Sequence, residues 1–281
     1  MNAVVKENFE DTHCEEFPMG VVEGRSLSKR VALVVGAGAG LGRAIALAYG
    51  REGATVVAAD LNIDAARHTS QAAELGGRGA AEQMDLADAQ SCATVVRNVA
   101  GRFGRLDILV NCAAICMVDP LTDVTPERWD KVFAVNARGA FFLMQAAARE
   151  MIPRGFGRII NVSTPASKMG FPNFASYAAS KAAVDSITRA AAVAWGQHGI
   201  TCNCIVPGRM TGGMIDALEA DLVRVTGKSA EQLREERTKG LPIPRRVAPE
   251  EVAQAAVWLA GDAAAYVNAE RFNFTGGMEL A

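Results

Sequence analysis

The chain predicts an α/β fold: a Rossmann-like, doubly wound parallel sheet of about seven strands with helices on both faces. Three observations carry this. From residue 30 onward, short β-branched runs alternate with longer helical stretches, the rhythm of right-handed βαβ units. The first strand runs straight into Gly36-Ala-Gly-Ala-Gly40-Leu-Gly42 and then a helix, a turn too tight for most other residues. The 281 residues are 50% hydrophobic and 21% charged, enough for one large core, and no Pro-rich or low-complexity linker divides them.

In chain order, residues 31–35 form the first strand, apolar and β-branched, as a strand buried on both faces must be. A helix over 42–52 follows, then a strand at 55–59, a helix at 63–75 and a weaker strand at 79–84. Three more pairs complete the pattern: helix 89–103 with strand 108–110, helix 127–151 with strand 158–162, and helix 177–197 with strand 201–206. Residues 271–274 make the last strand. Gly, Asp, Asn or Pro bounds these strands and stops the extended chain. The segment 209–246 breaks the rhythm. It is charged at Arg234-Glu235-Glu236-Arg237, amphipathic, and bounded by Pro207-Gly208 and Leu241-Pro-Ile-Pro. An insertion at a strand's carboxyl end lies where open α/β sheets bind ligands, so it is expected to be a substrate lid. Residues 26–281 then form one domain, and residues 1–25 a polar extension.

Composition excludes several functions. With 29 Lys+Arg against 31 Asp+Glu the net charge is −2, which leaves no basic face for nucleic acid. No apolar run reaches bilayer length, and residues 1–25 carry six acidic side chains and no export-type apolar core. A cytoplasmic protein without a membrane partner is the expectation. The six cysteines contain no C-x-x-C, and Cys202-x-Cys204 reads as two buried thiols on one strand face. No H-E-x-x-H or G-x-S-x-G is present, and Gly227-Lys228-Ser229 lacks the P-loop's first glycine because position 222 is Leu. No metal is expected.

The glycine turn sets up a cofactor site. Gly36, Gly40, Leu41 and Gly42 bring backbone close to a pyrophosphate, and the helix that follows offers free N–H groups and the positive end of its dipole. Asp60, at the end of the second strand, is placed to bond the adenosine ribose hydroxyls, with Leu61 beside it. A carboxylate there repels a 2′-phosphate: a unit-charge pair about 4 Å apart costs roughly 4 kcal/mol at an effective dielectric near 20. NAD is therefore preferred to NADP. Asp85 and Leu86 face the adenine edge, and Asn111 is placed to hold neighbouring backbone. Tyr177 and Lys181 stand at i and i+4 on one helix face. A close ammonium favours a phenolate and brings the tyrosine toward working pH.

Taken together these residues resemble the short-chain dehydrogenase/reductase family, of the single-domain type. The resemblance spans roughly residues 30 to 277 and includes the glycine turn, Asp60, Asp85-Leu86, Asn111-Cys-Ala-Ala, Asn136, Tyr177/Lys181, Pro207-Gly208 and Gly276-Gly277. It implies that Tyr177 is the general acid/base and that Lys181 lowers its pKa and binds the nicotinamide ribose. Asn136 would hold a proton-relaying water. Pro207, Gly208 and Met210 would face the nicotinamide end. The Tyr-x-x-x-Lys spacing argues against the family's enoyl-reductase branch.

The chain also departs from the family. The family's substrate-bonding serine lies 13 residues before the tyrosine, which here is Thr164, with Ser163 just ahead of it. Adjacent strand residues face opposite ways, so Ser163 is expected to point out of the pocket. Val35 stands for the usual Thr, and the Thr after Pro207-Gly208 comes one place early, at Thr211.

Ile115, Cys116, Met117, Met169, Phe171 and Met214 suggest an apolar substrate pocket, with Met169 and Met214 its substrate contacts and Lys168 and Arg209 its only nearby bases. A hydrophobic secondary alcohol or ketone is therefore favoured. The alternatives are a 3-oxoacyl thioester reductase of fatty-acid type and a catalytically weak dinucleotide-binding regulator. Ala-rich helices around 137–152 and 177–197 predict a helix-to-helix subunit interface, and the family resemblance implies a homodimer or homotetramer.

Overall fold

The computed structural model describes residues 26–279 apart from 213 and 240, so the extension expected over residues 1–25 lies outside the described residues. The strands are β1 Val31–Val35, β2 Thr55–Asp60, β3 Gly79–Gln83, β4 Ile108–Asn111, β5 Gly157–Val162, β6 Ile200–Pro207 and β7 Arg271–Phe274. They form one sheet in the order β3-β2-β1-β4-β5-β6-β7, and every pairing is parallel. The order reverses between β1 and β4, which opens a crevice at the carboxyl ends of the strands.

β1 shows why both faces need cover. All five of its residues are buried, and successive side chains alternate between faces. Ala32 and Val34 join a core with Ile45, Tyr49 and Leu259. Leu33 and Val35 join another with Val96, Leu143 and Met144. The first layer comes from α1 Gly40–Arg51, α2 Ile63–Ser70 and α9 Pro249–Ala260, the second from α3 Ala89–Phe103, α5 Ala140–Met151 and α6 Ala175–Trp195. Each fully buried Val or Leu contributes about 1.5–3 kcal/mol relative to exposure.

Two helices expected as continuous are divided. The stretch 63–75 ends its α-helix at Ser70, and a short 3₁₀ turn over Ala73–Leu75 closes on Gly76 in the left-handed region. The stretch 127–151 splits into α4 Pro126–Phe133, a wide π-type turn over Ala134–Gly139, and α5. Such turns widen a helix to aim a side chain, and this one carries Asn136. After β6 come α7 Met214–Thr226 and α8 Ala230–Thr238, the helix pair expected for the lid. Leu222 and Leu233 from this pair pack with Val118 and Phe174.

Candidate active site

Parallel register aligns the carboxyl ends of three strands: Val35 pairs with Ala59 on one side and Asn111 on the other. The glycine turn and Asp60 therefore open on the same edge. Gly36 takes φ +79°, and a Cβ there would sit 2.7 Å from Ala113 N. A Cβ on Gly42 would lie 2.1 Å from Gly36 O. Backbone packed this closely is possible only with glycine.

Above this edge lies a cavity of about 510 Å³. Its cofactor end is lined by Gly36, Gly40, Leu41, Gly42, Asp60, Leu61, Asp85 and Leu86. α1 starts there on Ala39 with no side-chain cap and no acidic residue in its first turn, so its orphan N–H groups are left for an anion. Asp60 is held in place: Gly38 N–H donates to Oδ2 at 2.9 Å and Asn62 N–H to Oδ1 at 3.0 Å. The donor set fits a dinucleotide: free amides for phosphates and a fixed carboxylate for ribose hydroxyls.

The far end is lined by Thr164, Tyr177, Lys181, Pro207, Gly208, Met210 and Met214. Burial pushes the Tyr177 phenol well up, the Cys116 thiol adds to this, and a hydrogen bond with the Thr164 hydroxyl pulls the other way. Lys181 is anchored at the end of β5. Its Nζ donates to Val162 O at 2.7 Å, and burial brings its pKa down to about 8.

Thr164 is fixed from behind by residues the sequence reading did not single out. Arg271 on β7 donates to Thr164 O at 2.8 Å and to Ser167 Oγ at 2.9 Å, and is itself paired with Asp185 at 2.9 Å and with Glu279. A half-buried arginine this far from Tyr177 in sequence leaves no local spacing to read. Ser163, expected to face away, also lines the cavity, and its buried Oγ has no partner among the described residues.

Three expected site residues fall elsewhere. Asn136 does not line the cavity: its Nδ2 donates to Ile115 O and Ser180 Oγ, and its Oδ1 accepts from Ile115 N–H at 2.9 Å. It clamps the loop that carries Cys116. Asn111 lies buried behind the lining, with Oδ1 unpartnered among the described residues rather than holding backbone. Met169 sits outside the lining, where Phe171 and Phe174 stand instead, because the turn over Pro165–Ser167 carries the chain past the pocket. The structure also brings Arg237 from α8 to the cavity, a position no motif marks.

A family model described as enoyl-(acyl carrier protein) reductase matches residues 36–279. Galactitol 2-dehydrogenase of Agrobacterium fabrum is 37% identical over 252 residues, 89% of this chain and 98% of that one. Human (3R)-3-hydroxyacyl-CoA dehydrogenase is 35% identical over 264 residues, covering 90% and 96%. A solved structure described as an NAD(P)-dependent gluconate 5-dehydrogenase of Beutenbergia cavernae, with NADP bound at low occupancy, superposes with TM-score 0.81. It is 36% identical and covers 90% of this chain and 98% of that one. A Rossmann-type sheet with this cavity at its switch point, matched over nearly its full length by such relatives, makes the chain a member of the short-chain dehydrogenase/reductase family and an oxidoreductase acting on secondary alcohols.

Proposed function

We propose that the chain is an NAD-dependent oxidoreductase that interconverts a secondary alcohol and a ketone, with Tyr177 as general acid/base. The observation that carries this is one cavity shared by two sets of residues: Thr164, Tyr177 and Lys181 line it together with the glycine turn and Asp60. The dinucleotide supplies the ring carbon that accepts or returns the hydride. Tyr177 takes the carbinol proton during oxidation and gives one to the carbonyl oxygen during reduction. Thr164, held by Arg271, bonds the same substrate oxygen. Lys181 anchors to Val162 O and presents its remaining N–H groups to the ribose. Gly36, Gly40, Leu41 and Gly42 hold the pyrophosphate, Asp85 and Leu86 the adenine, Pro207, Gly208 and Met210 the nicotinamide end, and Met214 the substrate.

The preference for NAD rests on Asp60, which is pinned by two backbone amides with no base at Leu61 to offset it. The free thiols Cys92, Cys112, Cys116, Cys202 and Cys204 fit a reducing cytoplasm. Residues 209–246 act as the lid, and the assembly is a homodimer or homotetramer.

Tyr177→Phe tests the core of this reading. Turnover of a secondary-alcohol panel, followed by NADH absorbance, should fall to about 1% or less while NAD affinity changes only a few-fold. Retained turnover would overturn the assignment. In a second variant, Asp60→Ala with Leu61→Arg should raise kcat/KM with NADP; unchanged NADP kinetics would place the ribose elsewhere. A thioester reading draws on the hydroxyacyl-CoA relative and on apolar lining by Ile115, Phe171 and Phe174. Turnover of a 3-hydroxyacyl thioester far above any free alcohol would select it.

A further inference from the structure

Two guanidinium groups reach the substrate end of the cavity with donors to spare. Arg209 follows Gly208 at the end of β6, and Arg237 comes across from α8. Arg209 Nε and Arg237 Nη1 are both buried, and neither has a hydrogen-bond partner among the described residues. The carboxylate nearby is committed elsewhere: Glu219, buried on α7, binds Arg234 Nε at 2.9 Å and Arg246. Arg209 lies over the face of Phe171, with its guanidinium carbon 5.9 Å from the ring centroid. Burial, together with the like charges of Arg237 and Arg246, pushes Arg209 down to about 10. Burial and Arg246 push Arg237 down too, against the pull of Glu219. Two desolvated cations that repel one another are costly unless an anion joins them.

We propose that Arg209 and Arg237 bind a carboxylate of the substrate, so that the molecule oxidised is a hydroxy acid. This rests on the oxidoreductase reading above and replaces the uncharged alcohol that the apolar residues alone suggest. Two guanidinium groups lining one cavity supply more than enough N–H donors for the two oxygens of one carboxylate. The surrounding Phe171, Met214 and Leu218 favour a singly charged group over a dianion, whose desolvation costs more. The step balances: the carbinol C–H leaves as hydride with its electron pair to the nicotinamide, the O–H proton passes to Tyr177 in its phenolate form, which later releases it to solvent, and the carboxylate is unchanged. Hydroxy acid and NAD⁺ thus become oxo acid, NADH and a proton.

The experiment compares matched pairs differing only in charge: gluconate with sorbitol, and 3-hydroxybutanoate with butane-1,3-diol. The wild type should favour at least one acid over its neutral partner by about ten- to a hundred-fold in kcat/KM, the worth of one charge-assisted hydrogen bond or more. Arg237→Met and Arg209→Met should each reduce that ratio at least about tenfold, and Arg237→Lys should restore part of it. A neutral partner preferred by the wild type, a ratio unmoved by both Met variants, or sorbitol 6-phosphate outrunning every acid would each overturn the carboxylate site. So would a weakened NAD affinity in Arg209→Met with the ratio unchanged, since the arginine would then serve the cofactor. Binding of the same four probes to the enzyme–NADH complex, read by NADH fluorescence, separates the two readings. Silence in all turnover assays counts against the oxidoreductase reading. In that case acids bound about tenfold tighter than their partners, with the difference lost in Arg237→Met, still support the site, and equal binding rejects it.

Discussion

Removing the Thr164 hydroxyl takes from the cavity a donor beside Tyr177 and the acceptor that Ala166 N–H uses at 3.3 Å. Thr164→Ala should therefore cost on the order of 100-fold in kcat/KM, as loss of one such oxygen-binding donor does. Thr164→Ser keeps the hydroxyl and should retain most activity. Ser163→Ala should be milder than Thr164→Ala, since the Ser163 Oγ is buried and holds no partner among the described residues that orients it. The reverse order would mean that the unpartnered Ser163 Oγ holds the substrate. The 13-residue spacing points to Thr164, which lines the cavity, but it did not reveal that Ser163 lines it too, because that depends on how the chain leaves β5. Lys181 carries a pH signature. Its pKa falls from 10.5 to about 8 on folding. Below pH 8 the lysine is protonated in folded and unfolded chains alike, and the burial penalty is felt in full. Between about 8 and 10.5 the unfolded chain binds more protons, so stability rises with pH. The relief totals about 3 kcal/mol. In thermal melts of the cofactor-free protein, the stability of Lys181→Met relative to wild type should fall by up to that amount from pH 7.5 to 10. A constant difference would show that Lys181 keeps its ordinary pKa.

At the scale of elements, the glycine turn and α1 work as a unit. A Cβ on Gly42 would collide with Gly36 O at 2.1 Å, and backbone cannot step aside as a side-chain end does. Gly42→Ala should lower stability by about 1–3 kcal/mol and weaken NAD binding more than tenfold, measured by denaturant melts and cofactor titration. Full NAD affinity in this variant would show that the turn does not hold the pyrophosphate. The strands were legible to within a residue or two, since short apolar runs between breakers leave few choices. The helix over 127–151 was not, because the π-type turn at Ala134–Gly139 conforms to the site rather than to local propensity. Asn136 uses it to reach Ile115 and Ser180.

Over the whole molecule, much of the Ala-rich pattern proved internal. Ala146, Ala147 and Ala148 are buried within the chain's own fold. What remains uncovered is larger: Phe141 on α5 is 42% exposed and Val193 on α6 is 80% exposed. These side chains lie on the helices proposed for subunit contact. Phe141→Lys with Val193→Lys should shift the assembly toward smaller species in size-exclusion chromatography with light scattering, at unchanged far-ultraviolet dichroism. An unchanged mass would place the interface elsewhere.

The sequence by itself determined the parallel sheet covered by helices on both faces, the glycine turn, and the places of Asp60 and of the Tyr177–Lys181 pair in it. These depend on periodicity, on backbone that only glycine can adopt, and on spacings within one element, all of which are local. Only the tertiary structure decided which distant groups meet. Arg271 from the last strand fixes Thr164, Asn136 turns to clamp a loop, and Arg237 comes from α8 to line the same cavity as Arg209. Such meetings are set by how parallel strands and their crossovers pack, and no short window of sequence contains both partners.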